Sequence, residues 1–154
     1  MHEALCRSSG ITLDILHAER RAADHSANIG SKPDSRDSFA KAISLFERAL
    51  ALDPQSVEAQ ACLAGSLAGL RVFYGTSDLV AADLARADAL ISRALAVAPR
   101  YAFAHYVKGQ VLRAQNRWEE AVIEYETALA SNPNLVAALH GLGWCKLFAG
   151  RLMR

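Results

Sequence analysis

A chain of 154 residues that is 52% hydrophobic and 21% charged can bury a core of its own and is too apolar to stay a disordered polymer. Its net charge of +1 supplies no basic field for phosphates, which argues against nucleic acid as the main partner. The least polar run, "VEAQACLAGSLAGLRVF", is interrupted by Glu58, Gln60 and Arg71, so no membrane span is expected.

Alanine and leucine make up about a third of the residues and β-branched residues are sparse, which points to an all-α fold. The first residues lack the uninterrupted apolar centre and small-residue cleavage site of a secretory signal, and residues 1 to 10 are expected to fray. "TLDILHAERRAADHSA" follows as a helix, and "NIGSKPDS" as a loop leading to Phe39. Residues 1–36 are therefore expected to be an N-terminal helical arm and loop, and 37–154 a separate domain.

From Phe39 onward one sentence is said three times. "FAKAISLFERALALDP", "LARADALISRALAVAP" and "WEEAVIEYETALASNP" align column by column. Ala42, Ala87 and Ala121 share one column; Phe46, Ile91 and Tyr125 share the next; Ala49, Ala94 and Ala128, each followed by leucine, share a third; Pro54, Pro99 and Pro133 close each segment. Apolar residues at intervals of three and four make each segment a helix with one buried stripe, and the recurring alanines allow a neighbouring helix to approach closely.

After each proline comes a second repeated helix, "VEAQACLAGSL", "AFAHYVKGQVL" and "VAALHGLGWCK", with Ala64, Gly109 and Gly143 in its small-residue column. Asp53-Pro54 and Asn132-Pro133 read as a capping side chain before a proline in the first helical turn. Asn116 reads as the cap of the helix that opens with Trp118, where Glu119 and Glu120 favour the helix dipole.

Pro99 and Pro133 are 34 residues apart. A helix-turn-helix unit of that period, with small residues at both crossing points, resembles the tetratricopeptide repeat. "LRAQNRWEEAVIEYETALASNPNLVAALHGLG" fits the family pattern with Trp118 at its aromatic column, and the resemblance covers roughly residues 37 to 150. It implies a solenoid of antiparallel helix pairs, about three repeats, whose first helices line a concave groove that in this family commonly binds peptides or partner proteins.

Pro54 and Pro99 are 45 residues apart, so the middle repeat holds 11 extra residues near "RVFYGTSDLVA". Eleven residues make about three helical turns, so both helices of that pair are expected to lengthen and join around Gly75-Thr76-Ser77, with Ser77 or Asp78 as a cap. Val72, Phe73, Tyr74, Leu79 and Val80 should then project beyond the neighbouring pairs. A long middle repeat is similar to the repeat regions attached to bacterial adenylate or guanylate cyclases and to winged-helix regulators. The last helix has no partner segment after it and is expected to stand as a cap or an open edge, with Leu139 and Leu142 uncovered and Lys146 as polar cover.

Motifs for chemistry are few. Five histidines form no HExxH or close Cys/His cluster, so no metal is expected. "GLGWCK" has the glycines of a phosphate loop without the preceding strand, and no nucleophile elbow, P-loop or catalytic carboxylate pair can be assigned. Three cysteines without a CxxC suggest neither a disulfide framework nor a zinc knuckle and fit a reducing cytoplasm.

The candidate partner-binding residues follow from the resemblance, as first-helix positions directed away from the core. They are Glu58 in the first unit, Phe103, Tyr106, Gln110 and Arg113 in the second, and His140 and Trp144 in the third, with Ala61 and Gly65 as small positions beside Glu58. Aromatic and arginine side chains are the types enriched at interface hot spots. Phe103 and Trp144 carry a second reading, as residues packed between neighbouring helices. The family's lysine and asparagine clamp for a peptide carboxylate is not reproduced, because its places hold Ala61, Gly65, Tyr106 and Gln110. The expectation is a non-enzymatic interaction module that needs no cofactor and binds a protein or peptide. Its alternative is an oligomerisation or regulatory segment of a larger bacterial signalling protein, self-associating through the C-terminal helix.

Overall fold

The computed structural model describes residues 34–74 and 80–152, and every regular element among them is a helix. In chain order these are α1 (Asp34–Leu52), α2 (Val57–Tyr74), α3 (Val80–Val97), α4 (Ala102–Ala114), α5 (Trp118–Ser131) and α6 (Val136–Leu152). Helices α2 and α3 form one pair, and α4 and α5 another. The pairs stack because α4 also lies against α2 and α3, while α1 packs on α2 and α6 packs on α5 and α4. The all-α stack of helix pairs is the architecture that the repeated columns imply.

The repeated stripe is the core. Ala42, Ala87, Ala121, Phe46, Ile91, Tyr125, Ala49, Ala94 and Ala128 are all buried. On the intervening helices Leu63, Ala64, Leu67, Val107, Val111 and Leu112 complete it. The "GSLAG" spacing serves close packing. A Cβ on Gly69 would stand 2.8 Å from the Phe39 ring of α1, and one on Gly65 would stand 3.2 Å from Val107 of α4.

The prolines lie in turns rather than in first helical turns. The Ser56, Tyr101 and Leu135 amides donate to the carbonyls of Asp53, Ala98 and Asn132, each at 3.2 Å, closing three equivalent four-residue turns with proline second. Proline suits that position because its ring fixes φ near the value the turn requires. Asp53 Oδ1 and Asn132 Oδ1 accept from the amides two residues on, so they brace the turn instead of capping a helix. Ser56 is the cap of α2: its Oγ accepts the Ala59 amide at 3.3 Å.

Asn116 is likewise not the cap of α5. It adopts a positive φ of 62° directly after α4. Its amide donates to the Arg113 carbonyl and the Arg117 amide to the Leu112 carbonyl, the paired bonds of a Schellman ending. Asparagine tolerates the left-handed conformation better than most side chains, so the residue that resembles a start signal acts as a stop signal. The preceding residue of α5 is Arg117, which has no side-chain capping bond and instead pairs with Glu120.

Helix α1 begins at Asp34, earlier than the loop to Phe39 that the sequence suggests. Proline restricts the residue before it and not the one after, so Pro33 does not prevent a helix from starting at Asp34. In the middle pair, α2 and α3 each run 18 residues against 13 for α4 and 14 for α5, as expected for insertion into both helices. The expected helix at Thr12–Ala27, the connection at Gly75–Ser77 and the side chains of Val72, Phe73, Tyr74, Leu79 and Val80 lie outside the described residues.

Polar side chains repeat as well. Gln60 Nε2 donates to the Pro54 carbonyl at 2.9 Å, and His105, in the same column, places Nε2 2.8 Å from the Pro99 carbonyl. His105 Nδ1 lies 2.7 Å from the Glu124 carboxylate, tying the turn to α5. Arg86 pairs with Glu47 across α3 and α1, Lys108 with Asp88 across α4 and α3, and Lys146 with Glu126 across α6 and α5. Exposed pairs of this kind add about 0 to 1 kcal/mol each, so the buried stripe carries the fold.

Candidate partner-binding groove

Helices α2, α4 and α6 are the first helices of successive units, and α4 contacts both of the others. Tyr106 and Gln110 are buried at 8% exposure, held as a unit by a bond of 2.6 Å from Gln110 Nε2 to the Tyr106 hydroxyl. Phe103 and Arg113 are half-buried. The ring of Tyr106 lies between Phe103, at a centroid distance of 5.8 Å, and Tyr125, at 6.1 Å. Phe103 in turn meets Tyr101 at 6.1 Å, so the expected residues of α4 form one side of an aromatic chain that runs into the core.

His140 and Trp144 are exposed one turn apart on α6, where the Trp144 indole nitrogen donates to His140 Nε2 at 3.2 Å. The Trp144 ring stacks on Phe148 at 5.3 Å, and Phe148 stacks on Trp118 at 5.4 Å. Trp144 nevertheless remains 39% exposed. Glu58 is exposed in the first turn of α2 and joins neither set by a hydrogen bond, ion pair or ring contact. Ala61 is buried and Gly65 half-buried against Val107, so the first unit contributes backbone rather than side chains.

Three contributors escaped the sequence reading. Phe148 and Trp118 complete the stacked row, and Phe148 was signalled only by its spacing of four residues from Trp144. The third is Tyr125, whose side chain is clamped between two glycines. A Cβ on Gly109 would come within 2.7 Å of its ring and one on Gly141 within 2.6 Å. Gly141, outside the repeated small-residue column, therefore does the close packing on α6, while Gly143, inside the column, has open space.

The reason lies in the helix order. Gly109 receives Tyr125 from the second helix of its own pair, and the corresponding face of α6 has no such helix among the described residues. That face is apolar, with Leu139 and Leu147 50% and 53% exposed.

The Tyr125 hydroxyl is buried with no well-aligned hydrogen-bond partner, and burial pushes its pKa well above the usual tyrosine range against the opposing charge and hydrogen bonding of the nearby Arg113 guanidinium. Burial also pushes the Cys145 thiol up, again opposed by Arg113. Both groups are neutral at ordinary pH, and a raised thiol pKa makes Cys145 a poor nucleophile. Among the described residues no group of three or more His, Cys, Asp and Glu is placed to hold a metal ion, and no helix is long and apolar enough to cross a membrane.

Residues 75–145 match the family model for the tetratricopeptide repeat, a stretch that takes in α3, α4, α5 and most of α6. No curated protein matches the chain. The small-residue crossings and the proline turns recur with the helix pairs that this match covers. Residues 75–145 are thus a tetratricopeptide-repeat segment.

Proposed function

We propose that the chain is a non-enzymatic interaction module that binds a peptide or protein segment along α2, α4 and α6. Tetratricopeptide repeats are generally protein-interaction modules, and this reading fits them. The observation that supports it is that exposed Trp144 and His140 on α6 and half-buried Phe103 and Arg113 on α4 stand on two first helices that pack against each other. Tyr106 and Gln110 serve as the fixed wall beneath them, since their hydroxyl and amide already satisfy each other.

Selection from a randomised dodecapeptide library on the intact chain tests the proposal. Selected peptides should lose about 2 kcal/mol of affinity on Arg113→Ala and on Trp144→Ala, the size of an interface hot spot. Equal affinity for folded variants and the parent chain would remove the groove from the account.

The open face of α6 favours a second reading, in which copies of the chain self-associate through this helix, as in a regulatory segment of a larger signalling protein. Leaving a leucine half in water forgoes part of the roughly 1.5 to 3 kcal/mol that its full burial provides. Light scattering after size exclusion should then show a dimer that grows with concentration and is abolished by Leu139→Lys. A strict monomer, unchanged by the substitution, discards this reading.

A further inference from the structure

Helix α4 carries two half-buried cations, and only one of them is matched. Lys108 meets the Asp88 carboxylate. Arg113, in the last turn, has no carboxylate at ion-pair distance among the described residues. The guanidinium lies near the Tyr125 hydroxyl, which accepts from it, and near the Cys145 thiol, but neither carries a charge to balance it.

A partly desolvated cation without a counter-charge is unfavourable, and a guanidinium holds five donors in a fork that matches a carboxylate. Aromatic side chains stand on the same helix and on the next first helix. Phe103 and Tyr106 lie toward the start of α4, and Trp144 stacked on Phe148 lies on the next first helix.

We infer that Arg113 is the specificity-determining residue of the groove and takes an acidic side chain, aspartate or glutamate, from within an extended peptide. The inference rests on the groove reading above and deepens it. An internal side chain fits better than a chain terminus, because aromatic side chains stand both on α4 and on α6 and offer the peptide contacts on either side of the acid. The free electron pairs of the carboxylate accept from the guanidinium, and the neighbouring residues of the peptide lie on the rings of Phe103 and Trp144.

Two synthetic dodecapeptide libraries, one ending in a free carboxylate and one in a carboxamide, supply the probes. Both should yield peptides enriched in aspartate or glutamate at one internal position. Replacing that residue by its amide should weaken binding to the parent chain by roughly tenfold or more and leave binding to Arg113→Gln unchanged. Selection on Arg113→Glu should invert the preference toward lysine or arginine.

Peptides without an acidic position that still lose affinity on Trp144→Ala would overturn the Arg113 inference and leave the groove standing. Enrichment confined to the free-carboxylate library would also overturn it, by naming the chain terminus as the anion. So would inorganic phosphate competing at millimolar concentration with the neutral and acidic peptides alike. Loss of all selection on the parent chain would sink the groove reading itself. Should Arg113→Gln fail to fold, the acid-to-amide exchange in the peptide decides the matter on the parent chain alone.

Discussion

Tyr125→Ala is expected to lower the unfolding free energy by about 3 to 5 kcal/mol, the range for removing a fully buried aromatic side chain. Tyr125 is wholly buried between α4 and α6, so its ring serves two interfaces at once. Truncation would leave a cavity bounded by glycine backbone, which has no side chain with which to fill it. Tyr125→Phe isolates the hydroxyl. Because that oxygen is buried with no well-aligned partner and only the nearby Arg113 guanidinium to accept from, its removal should change stability by no more than about 1 kcal/mol. Urea denaturation of the three proteins checks both outcomes, and a large loss in the phenylalanine variant would mean that the hydroxyl has a partner in solution.

The same clamp governs the second large effect. Gly109→Ala and Gly141→Ala should each cost about 3 kcal/mol, at the upper end for overpacking, because the ring cannot recoil from one helix without striking the other. Gly143→Ala should instead gain up to about 1 kcal/mol from helix propensity, since nothing lies within 4 Å of the added methyl group. Thermal unfolding of the three single variants provides the comparison. Destabilisation by Gly143→Ala similar to that of Gly109→Ala would show that another segment covers this face of α6.

These glycines also mark where reading the sequence succeeded and where it stopped. Ala42, Ala87 and Ala121 are buried where their column requires, because helical periodicity is written in the spacing of residues along the chain. Lengthening of α2 and α3 was legible for the same reason, as a gap between prolines. Gly143 shares its column with Gly109 and yet differs in its surroundings, since what a residue touches depends on which neighbouring helix is present. Local chemistry was ambiguous at Asn116, whose side chain suits both a helix start and a left-handed stop. The burial of Tyr106 and Gln110 depends on an aromatic chain drawn from several elements, and no single segment announces it.

One consequence concerns how the stack opens. Helix α4 is held by α2, α3, α5 and α6, whereas among the described residues the two end helices are held less, α1 mainly by α2 and α6 by α5 and α4. In a linear array each element draws its stability from its nearest neighbours, so opening begins at the ends, and the end that bears on the groove is α6. Release of α6 uncovers Tyr125 and takes Trp144 and Phe148 away from α4. Fraying at that end thus empties the groove before the rest of the domain unfolds, and a peptide bound across α4 and α6 acts as a splint that holds the terminal helix in register.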